Sequence, residues 1–409
     1  MSRAATRLWS RAFALACVAS FTVWTAAYTF LGILALYALS LGVPETWIGL
    51  FPAASTGCGL VAQLIGGRLL VRGPRTRLMR WGPLLIVAGA LLASVWPSPL
   101  ALFAACMLLG SGYGVTQTGA VVLATEVAPP ARRGEAVGIY GTFTTLAVLI
   151  GPPIGVALLQ HVGARVVFLL TLAMATAALG AAWALREPPP RTGVAHSTSA
   201  RLHPLVYFAA LTLAGMSVTW GTVLTFVPAY ALGLGLSNPG LYFSAQAVAV
   251  VALRAAMGGL SDRLGRVRLL IPATLLVVVG VGTLALRPPI WLLLLSALVY
   301  GVGYAAFHPT TIGLADDVSS PATRGTALGL VGGAFSVGVG SGAIGMGWVL
   351  GHSSYEVMFL VAALVPLCTT GALVLAARHY GRPPQSLDHY ASAPDLAAPT
   401  PSPGQPRPG

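Results

Sequence analysis

Gly258–Leu270 reads GGLSDRLGRVRLL and lies where one apolar run of about a membrane thickness stops and the next begins. Gly258, Gly259 and Gly265 remove side chains, so backbones can approach closely and the turn can tighten. Asp262 and Arg266 stand four residues apart, a spacing that pairs opposite charges if the helix persists. Arg263, Arg266 and Arg268 place three positive charges within six residues between two apolar runs. Such a cluster belongs in a cytoplasmic loop of a membrane protein.

A weaker copy stands 191 residues earlier, where Gly67, Leu69, Arg72, Arg75 and Arg77 align without gaps onto Gly258, Leu260, Arg263, Arg266 and Arg268. In this copy the aspartate position is Val71 and the second glycine position is Pro74. The same offset carries Gly110, Gly112 and Tyr113 onto Gly301, Gly303 and Tyr304. It also carries Glu126, Pro130, Arg133, Gly134, Gly138 and Gly151 onto Asp317, Pro321, Arg324, Gly325, Gly329 and Gly342. An offset that stays constant from Gly67 to Gly151 marks a duplicated chain.

Composition sets the environment. Of 409 residues 56% are hydrophobic and 8% charged, with a mean hydropathy of +0.81. Soluble domains carry about 25% charged residues, so most of this surface faces lipid. The net charge of +13 comes entirely from arginine and is dispersed between apolar runs, which argues for topology-setting loops and against nucleic acid. Cys17, Cys58, Cys106 and Cys368 fall inside apolar runs without metal-ligand spacing. They read as small buried residues, so neither disulfides nor a metal site is expected, and no cofactor.

A span needs about 20 apolar residues. Twelve runs qualify: 12–39, 47–70, 78–95, 100–125, 135–160 and 166–185, then 205–232, 239–260, 269–286, 290–313, 326–350 and 355–378. The first follows a basic start resembling a signal peptide but is too long for one, so it reads as an uncleaved membrane helix. The predicted fold is an all-α membrane protein of twelve helices in two pseudo-symmetric six-helix halves, 1–185 and 204–380. Residues 186–203 form a cytoplasmic linker, and 381–409 form a Pro-rich tail without periodicity, expected to be disordered. With the N-terminus inside, every arginine except Arg165, Arg254 and Arg287 falls at a cytoplasmic segment or helix end, which predicts N-in, C-in.

The loop at Gly258, Leu260, Asp262, Arg263, Gly265 and Arg266 resembles the signature loop of the major facilitator superfamily, found between helices 2 and 3 and again between 8 and 9. The resemblance covers about residues 10 to 380 and implies two parallel repeats and alternating access. It also implies charged cytoplasmic gates: Asp262, Arg263, Arg266, Asp317 and Arg324 in the second half, and Arg72, Arg75, Glu126 and Arg133 in the first. Because the first copy lacks its aspartate, the second cluster is expected to be tighter. Gly151-Pro152-Pro153-Ile154-Gly155 partly resembles the G-P-x-x-G-G motif of the superfamily's antiporters, with Ala147 and Val156 in place of two glycines. The alternative is ordinary Gly/Pro packing. Helices 1, 4, 7 and 10 line the cavity in this superfamily. There the chain carries Trp24, Tyr28, Tyr113, Gln117, Trp220, Tyr300 and Tyr304, an aromatic set suited to a lipophilic molecule or an organic cation.

No carboxylate falls mid-span. A coupling proton would therefore use Glu126, Asp316, Asp317 or His308, whose imidazole ionises near physiological pH; a packed neutral His308 is the alternative. Arg254, eight residues before Asp262, either snorkels to the loop charges or faces the cavity as a cation; its repeat partner is Gln63. The resulting expectation is a monomeric secondary transporter in a bacterial inner membrane. It would export small organic molecules, as drug-efflux members do, with protons as the candidate coupling ion. An uptake permease for a sugar, organic acid or amino acid is the alternative. No catalytic constellation appears within the spans, which speaks against an enzyme.

Overall fold

The computed structural model describes residues 9–70, 74–129, 132–185, 202–320 and 323–380. Side chains are described for all of these except residues 70, 75, 125, 133–135, 137, 138, 254–259, 262 and 263. The described chain is helical throughout: α1 (Arg11–Ser40), α2 (Glu45–Ile48), α3 (Leu50–Leu70), α4 (Arg75–Val95), α5 (Pro99–Val127), α6 (Arg133–His161) and α7 (Ala164–Trp183) come first. They are followed by α8 (Pro204–Gly233), α9 (Gly240–Leu264), α10 (Arg266–Leu284), α11 (Ile290–Asp317), α12 (Arg324–His352) and α13 (Tyr355–Tyr380). Among the described residues eleven helices are long and apolar enough to cross a membrane, the short α2 continuing into α3 as one of them. In α9 the apolar stretch Gly240–Leu253 is shorter than that. Helix is the form such segments must take, because hydrocarbon offers backbone N–H and C=O groups no other partner.

The helices repeat with the offset of the sequence. Adding 191 to Arg133–His161 gives 324–352, the range of α12, and adding it to the starts of α4 and α7 gives the starts of α10 and α13. The packing repeats as well. A Cβ on Gly110 would lie 1.9 Å from Ser55 O, and one on Gly301 2.4 Å from Gln246 O, the repeat partner of Ser55. Gly112 meets Gly82 O and Ile86, while Gly303 meets Ala273 O and Val277, again partner for partner. At both places the two backbones touch and any side chain would force them apart.

Helices α1, α3, α4, α5, α6 and α7 pack chiefly on one another, as do α8 to α13, with α6·α9, α3·α12 and α1·α8 joining the two groups. The core centres on α1 and α8, which are the most buried long helices and carry Phe13, Phe30, Ile33 and Phe226 fully inside. The first helix is thus a core element. Nearly all of the 186–203 linker and the whole 381–409 tail lie outside the described residues.

Two local expectations need correction. The helix does not persist from Asp262 to Arg266: α9 ends at Leu264 and Gly265 turns the chain at φ +83°, so Arg266 opens α10 instead. Its repeat partner Pro74 holds φ −67°, since the pyrrolidine ring cannot enter the left-handed region. The cysteines are all unpaired, but Cys368 is exposed on α13 where burial was expected. It occupies the outward stripe of a helix whose buried face is set by Phe359, Ala362, Ala363, Pro366 and Thr370.

Candidate substrate cavity and gates

On α1, α5 and α11 the cavity candidates recur at helical spacing, which stacks neighbours on one face. On α1, Trp24 stacks on Tyr28 (centroids 5.6 Å apart, planes at 25°) and leans on Tyr113 of α5 (5.1 Å). On α11, Tyr300, Tyr304 and His308 form a second ladder: Tyr304 lies 6.3 Å from Tyr300 and stacks on His308 at 5.8 Å. Trp220 of α8 packs on Tyr304 at 5.8 Å, and Phe335 of α12 meets His308 edge-on at 5.4 Å. Tyr113 and Tyr304 are repeat partners, so the two ladders hold equivalent places in the two helix groups.

Burial divides the set. Trp220 and Tyr300 are buried, and the Tyr300 hydroxyl is held 3.0 Å from Thr219 Oγ1. Trp24, Tyr28, Tyr113, Gln117, Tyr304 and His308 stay half-buried even though their helices are interior.

Gln117 is the polar centre. Trp24 Nε1 donates to its Oε1 at 3.0 Å, and the Tyr140 hydroxyl donates to the same oxygen. An indole N–H can only donate, so the acceptor must be the amide oxygen, and the orientation of the amide follows from chemistry. The Nε2 amino group is thereby left for an acceptor. The repeat partner of Gln117 is His308, one turn beyond Tyr304 as Gln117 is beyond Tyr113. Tyr140 and Phe335 gave no sequence signal, because neither lies on the helices the resemblance singles out.

At the end of the bundle bearing the α9–α10 and α11–α12 connections, the charges pair within the second group. Arg266 Nε donates to Asp317 Oδ2 at 2.9 Å and its terminal nitrogen to Ser261 Oγ at 2.9 Å. The guanidinium lies over Gly313, where a Cβ would be 3.0 Å from Cζ. One side chain thus ties the end of α9 and the start of α10 to the end of α11. Arg324 bonds Asp316 rather than Asp317, with a contact of 2.6 Å from its terminal nitrogen to Oδ2. Glu126 is half-buried near the end of α5. Arg72 lies outside the described residues, as do the side chains of Arg75, Arg133, Arg254, Asp262 and Arg263.

The opposite end joins the two groups directly. Ser244 Oγ donates to Leu149 O (2.6 Å), Asn238 Nδ2 to Pro153 O (3.0 Å) and Gln160 Nε2 to Ser237 O (2.7 Å). A prolyl residue leaves a carbonyl one turn earlier without its helical donor, and at Leu149 the Ser244 hydroxyl supplies one. Pro152 and Pro153 are wedged between two glycines: a Cβ on Gly32 of α1 would lie 2.7 Å from Pro152 Cα, and one on Gly240 of α9 2.4 Å from Pro153 Cα. Gly151 and Gly155 abut Tyr28 and Thr29 on α1. Among the described residues no cluster of His, Cys, Asp and Glu could hold a metal.

The Major Facilitator Superfamily model matches residues 16–259 and 238–403. The chain is 23% identical over 347 residues to the staphylopine export protein of Staphylococcus aureus, covering 80% of this chain and 86% of that protein. It is 27% identical over 314 residues to an uncharacterised MFS-type transporter of Burkholderia pseudomallei, with 75% and 77% covered. Among solved structures, a POT family transporter in complex with a thioalcohol-conjugated peptide superimposes with a TM-score of 0.76 at 13% identity, covering 91% of this chain and 97% of that one. The nucleoside transporter NupG does so with a TM-score of 0.70 at 15% identity, covering 89% and 99%. With duplicated helix packing, multiple apolar spans and a family match along nearly its whole length, the chain belongs to the Major Facilitator Superfamily of membrane transporters.

Proposed function

We propose that this protein is a secondary active exporter of small organic molecules, working by alternating access between two six-helix halves, 1–185 and 204–380. Residues 186–203 link the halves on the cytoplasmic side, where both termini lie, in a bacterial cell membrane. The observation that carries this reading is a pair of aromatic ladders at equivalent places in the two helix groups, with Trp24, Tyr28 and Tyr113 beside the Gln117 amide in one and Tyr304 and His308 in the other, all half-buried. Ring faces take up an apolar or cationic body, and the Gln117 amino group suits a carbonyl or carboxylate acceptor on the same molecule. Arg254 is a further cationic candidate for this cavity by position.

Export is supported by the similarity to a staphylopine exporter and by the antiporter-like Gly151, Pro152 and Gly155 wedge that seals the end away from the arginines. The Arg266–Asp317 and Arg324–Asp316 pairs, with Asp262, Arg263, Arg72, Arg75, Glu126 and Arg133, form the cytoplasmic gate. Partly exposed pairs worth about 0–1 kcal/mol each can break and reform in every cycle. Proton antiport runs through His308, the titratable group stacked on the cavity ladder.

Inverted and right-side-out membrane vesicles from expressing cells, given an imposed pH gradient and a panel of aromatic and zwitterionic compounds, test the direction. Export requires gradient-driven accumulation in inverted vesicles. Accumulation in right-side-out vesicles alone would make the protein an uptake permease and overturn the reading.

A further inference from the structure

We propose that the groove between α10 and α13 binds one anionic phospholipid, with an acyl chain lying along the groove and the phosphate at Arg268 and Arg378. The groove has a volume of about 360 Å³ and is lined from α10 by Ile271, Thr274 and Leu275, and from α13 by Leu367, Thr370, Gly371, Val374, Leu375 and Arg378.

The lining is apolar down to its hydroxyls. Thr274 donates to Leu270 O at 2.7 Å and shares a 2.9 Å hydrogen bond with Thr370, so both are satisfied within the protein. Leu275 and Leu375 are 50% and 66% exposed along its flanks, leaving hydrocarbon as the medium that fills it. A Cβ on Gly371 would touch nothing within 4 Å, so that glycine opens the floor.

Both walls end in arginine at the same end of the bundle. Leu367, Thr370, Gly371, Val374 and Leu375 follow helical spacing to Arg378, and the α10 stripe of Ile271, Thr274 and Leu275 runs back one turn to Arg268. Both arginines are exposed, and neither forms an ion pair among the described residues. From Leu367 to Arg378 the groove spans about 16 Å at 1.5 Å per residue, roughly half of a ~30 Å hydrocarbon core. That is the reach of one chain in one leaflet, with its headgroup level with the arginines. Basic pockets between membrane helices favour anionic headgroups.

The internal repeat supplies a control. The partners of Ile271 and Val374 in the first group are Arg80 and Trp183, and Arg80 lies over the Trp183 ring at 4.6 Å. A cation–π pair therefore occupies the counterpart of the open groove. In sequence the repeat partner of Arg378 is Glu187, of opposite charge. The chain thus carries one plugged and one open version of the same surface, and in sequence only the open one has arginine at both repeat positions.

The test is retention of lipid by the purified full-length protein, by native mass spectrometry, from an equimolar mixture of phosphatidylglycerol and phosphatidylcholine with identical chains. Wild type is expected to retain one phosphatidylglycerol preferentially and to gain thermal stability from it. Arg268→Gln with Arg378→Gln should lower the preference about tenfold or more. Ile271→Arg with Val374→Trp, which copies the plugged repeat, should lower retention of both lipids. Gly371→Phe fills the groove from its open floor and provides a second plug if the first pair fails to fold. The proposal is overturned if the glutamine pair keeps the phosphatidylglycerol preference, or if plugged protein of normal monodispersity retains lipid as wild type does. It is equally overturned if Leu375→Cys cross-links two copies face to face regardless of added lipid, which would make the groove a dimer contact.

Discussion

The Tyr355 hydroxyl donates to Glu45 Oε2 at 3.1 Å, joining residues 310 positions apart at the junction of the two helix groups. Glu45 opens α2 and Tyr355 opens α13, whose next residue, Glu356, is ion-paired with Arg287. Arg287 takes a left-handed φ of +48°, which directs its side chain across the α10–α11 turn to α13. A single net hydrogen bond contributes about 0.5–1.5 kcal/mol, so Tyr355→Phe should raise the fraction open at this end about two- to tenfold. Distance distributions between spin labels on the α1–α2 and α12–α13 turns report that fraction. An unchanged distribution would remove this bond from the latch.

Gly49 tests the same end by steric means. A Cβ there would lie 1.9 Å from Ala343 O, so Gly49→Ala must separate α3 from α12. Overpacking of this kind costs about 1–3 kcal/mol. The expected outcome is a protein that folds but rests open at the Glu45 end, with transport reduced at least several-fold. Transport at wild-type rate would show that the closed contact is not part of the cycle.

At the arginine-bearing end, Arg266→Gln and Asp317→Asn should each slow transport while changing unfolding stability by no more than about 1 kcal/mol, since the pair is partly exposed. Arg266→Gln should be the more severe, because it also loses the bond to Ser261 and the cover over Gly313. A double-mutant cycle on transport rate gives the coupling. Additive effects would mean that the pair does not act as a unit.

Gly265→Ala forces an L side chain to φ +83°, at a cost of about 1–2 kcal/mol. Thermal unfolding should show this loss, and Gly265→Asn should show it too, because ψ is 141° and asparagine tolerates positive φ only near ψ +30–60°. Unchanged unfolding of either variant would point away from backbone strain.

At the proposed cavity, Gln117→Ala should weaken a substrate bearing a carbonyl or carboxylate by about three- to tenfold, the worth of one hydrogen bond. Trp24→Phe removes the donor that helps fix the amide, so it should reduce selectivity for acceptor-bearing compounds while keeping an aromatic wall. His308→Gln should preserve substrate exchange without a gradient yet abolish drive by a pH gradient. Gradient-driven transport by His308→Gln would exclude His308 as the coupling group.

Much of this architecture is legible in the chain because membrane spans are a local property. A run such as 205–232 declares itself by composition, and the helix found there, Pro204–Gly233, begins at a proline suited to a first turn and ends near Gly235, which has positive φ. The duplication was legible for the same reason, since a fixed offset needs no knowledge of contacts. The site was only partly legible. Tyr113 and Tyr304 could be placed on a shared face by their register, but nothing local says that Tyr140 reaches Gln117 or that Phe335 closes on His308.

By itself the sequence determined where the apolar helices run, to within a few residues, and the repeat that relates them, because hydrocarbon demands apolar helices of a set length. Tertiary structure alone decided which acid each arginine takes. Arg266 holds Asp317 and Arg324 holds Asp316, although two adjacent carboxylates offer both the same charge. It also decided that Arg80 lies over Trp183 while Ile271 and Val374, at the same repeat positions, stand apart along an open groove. Those outcomes depend on side chains distant in sequence meeting at a few ångströms, and pairing at that range is fixed only when the helices have packed.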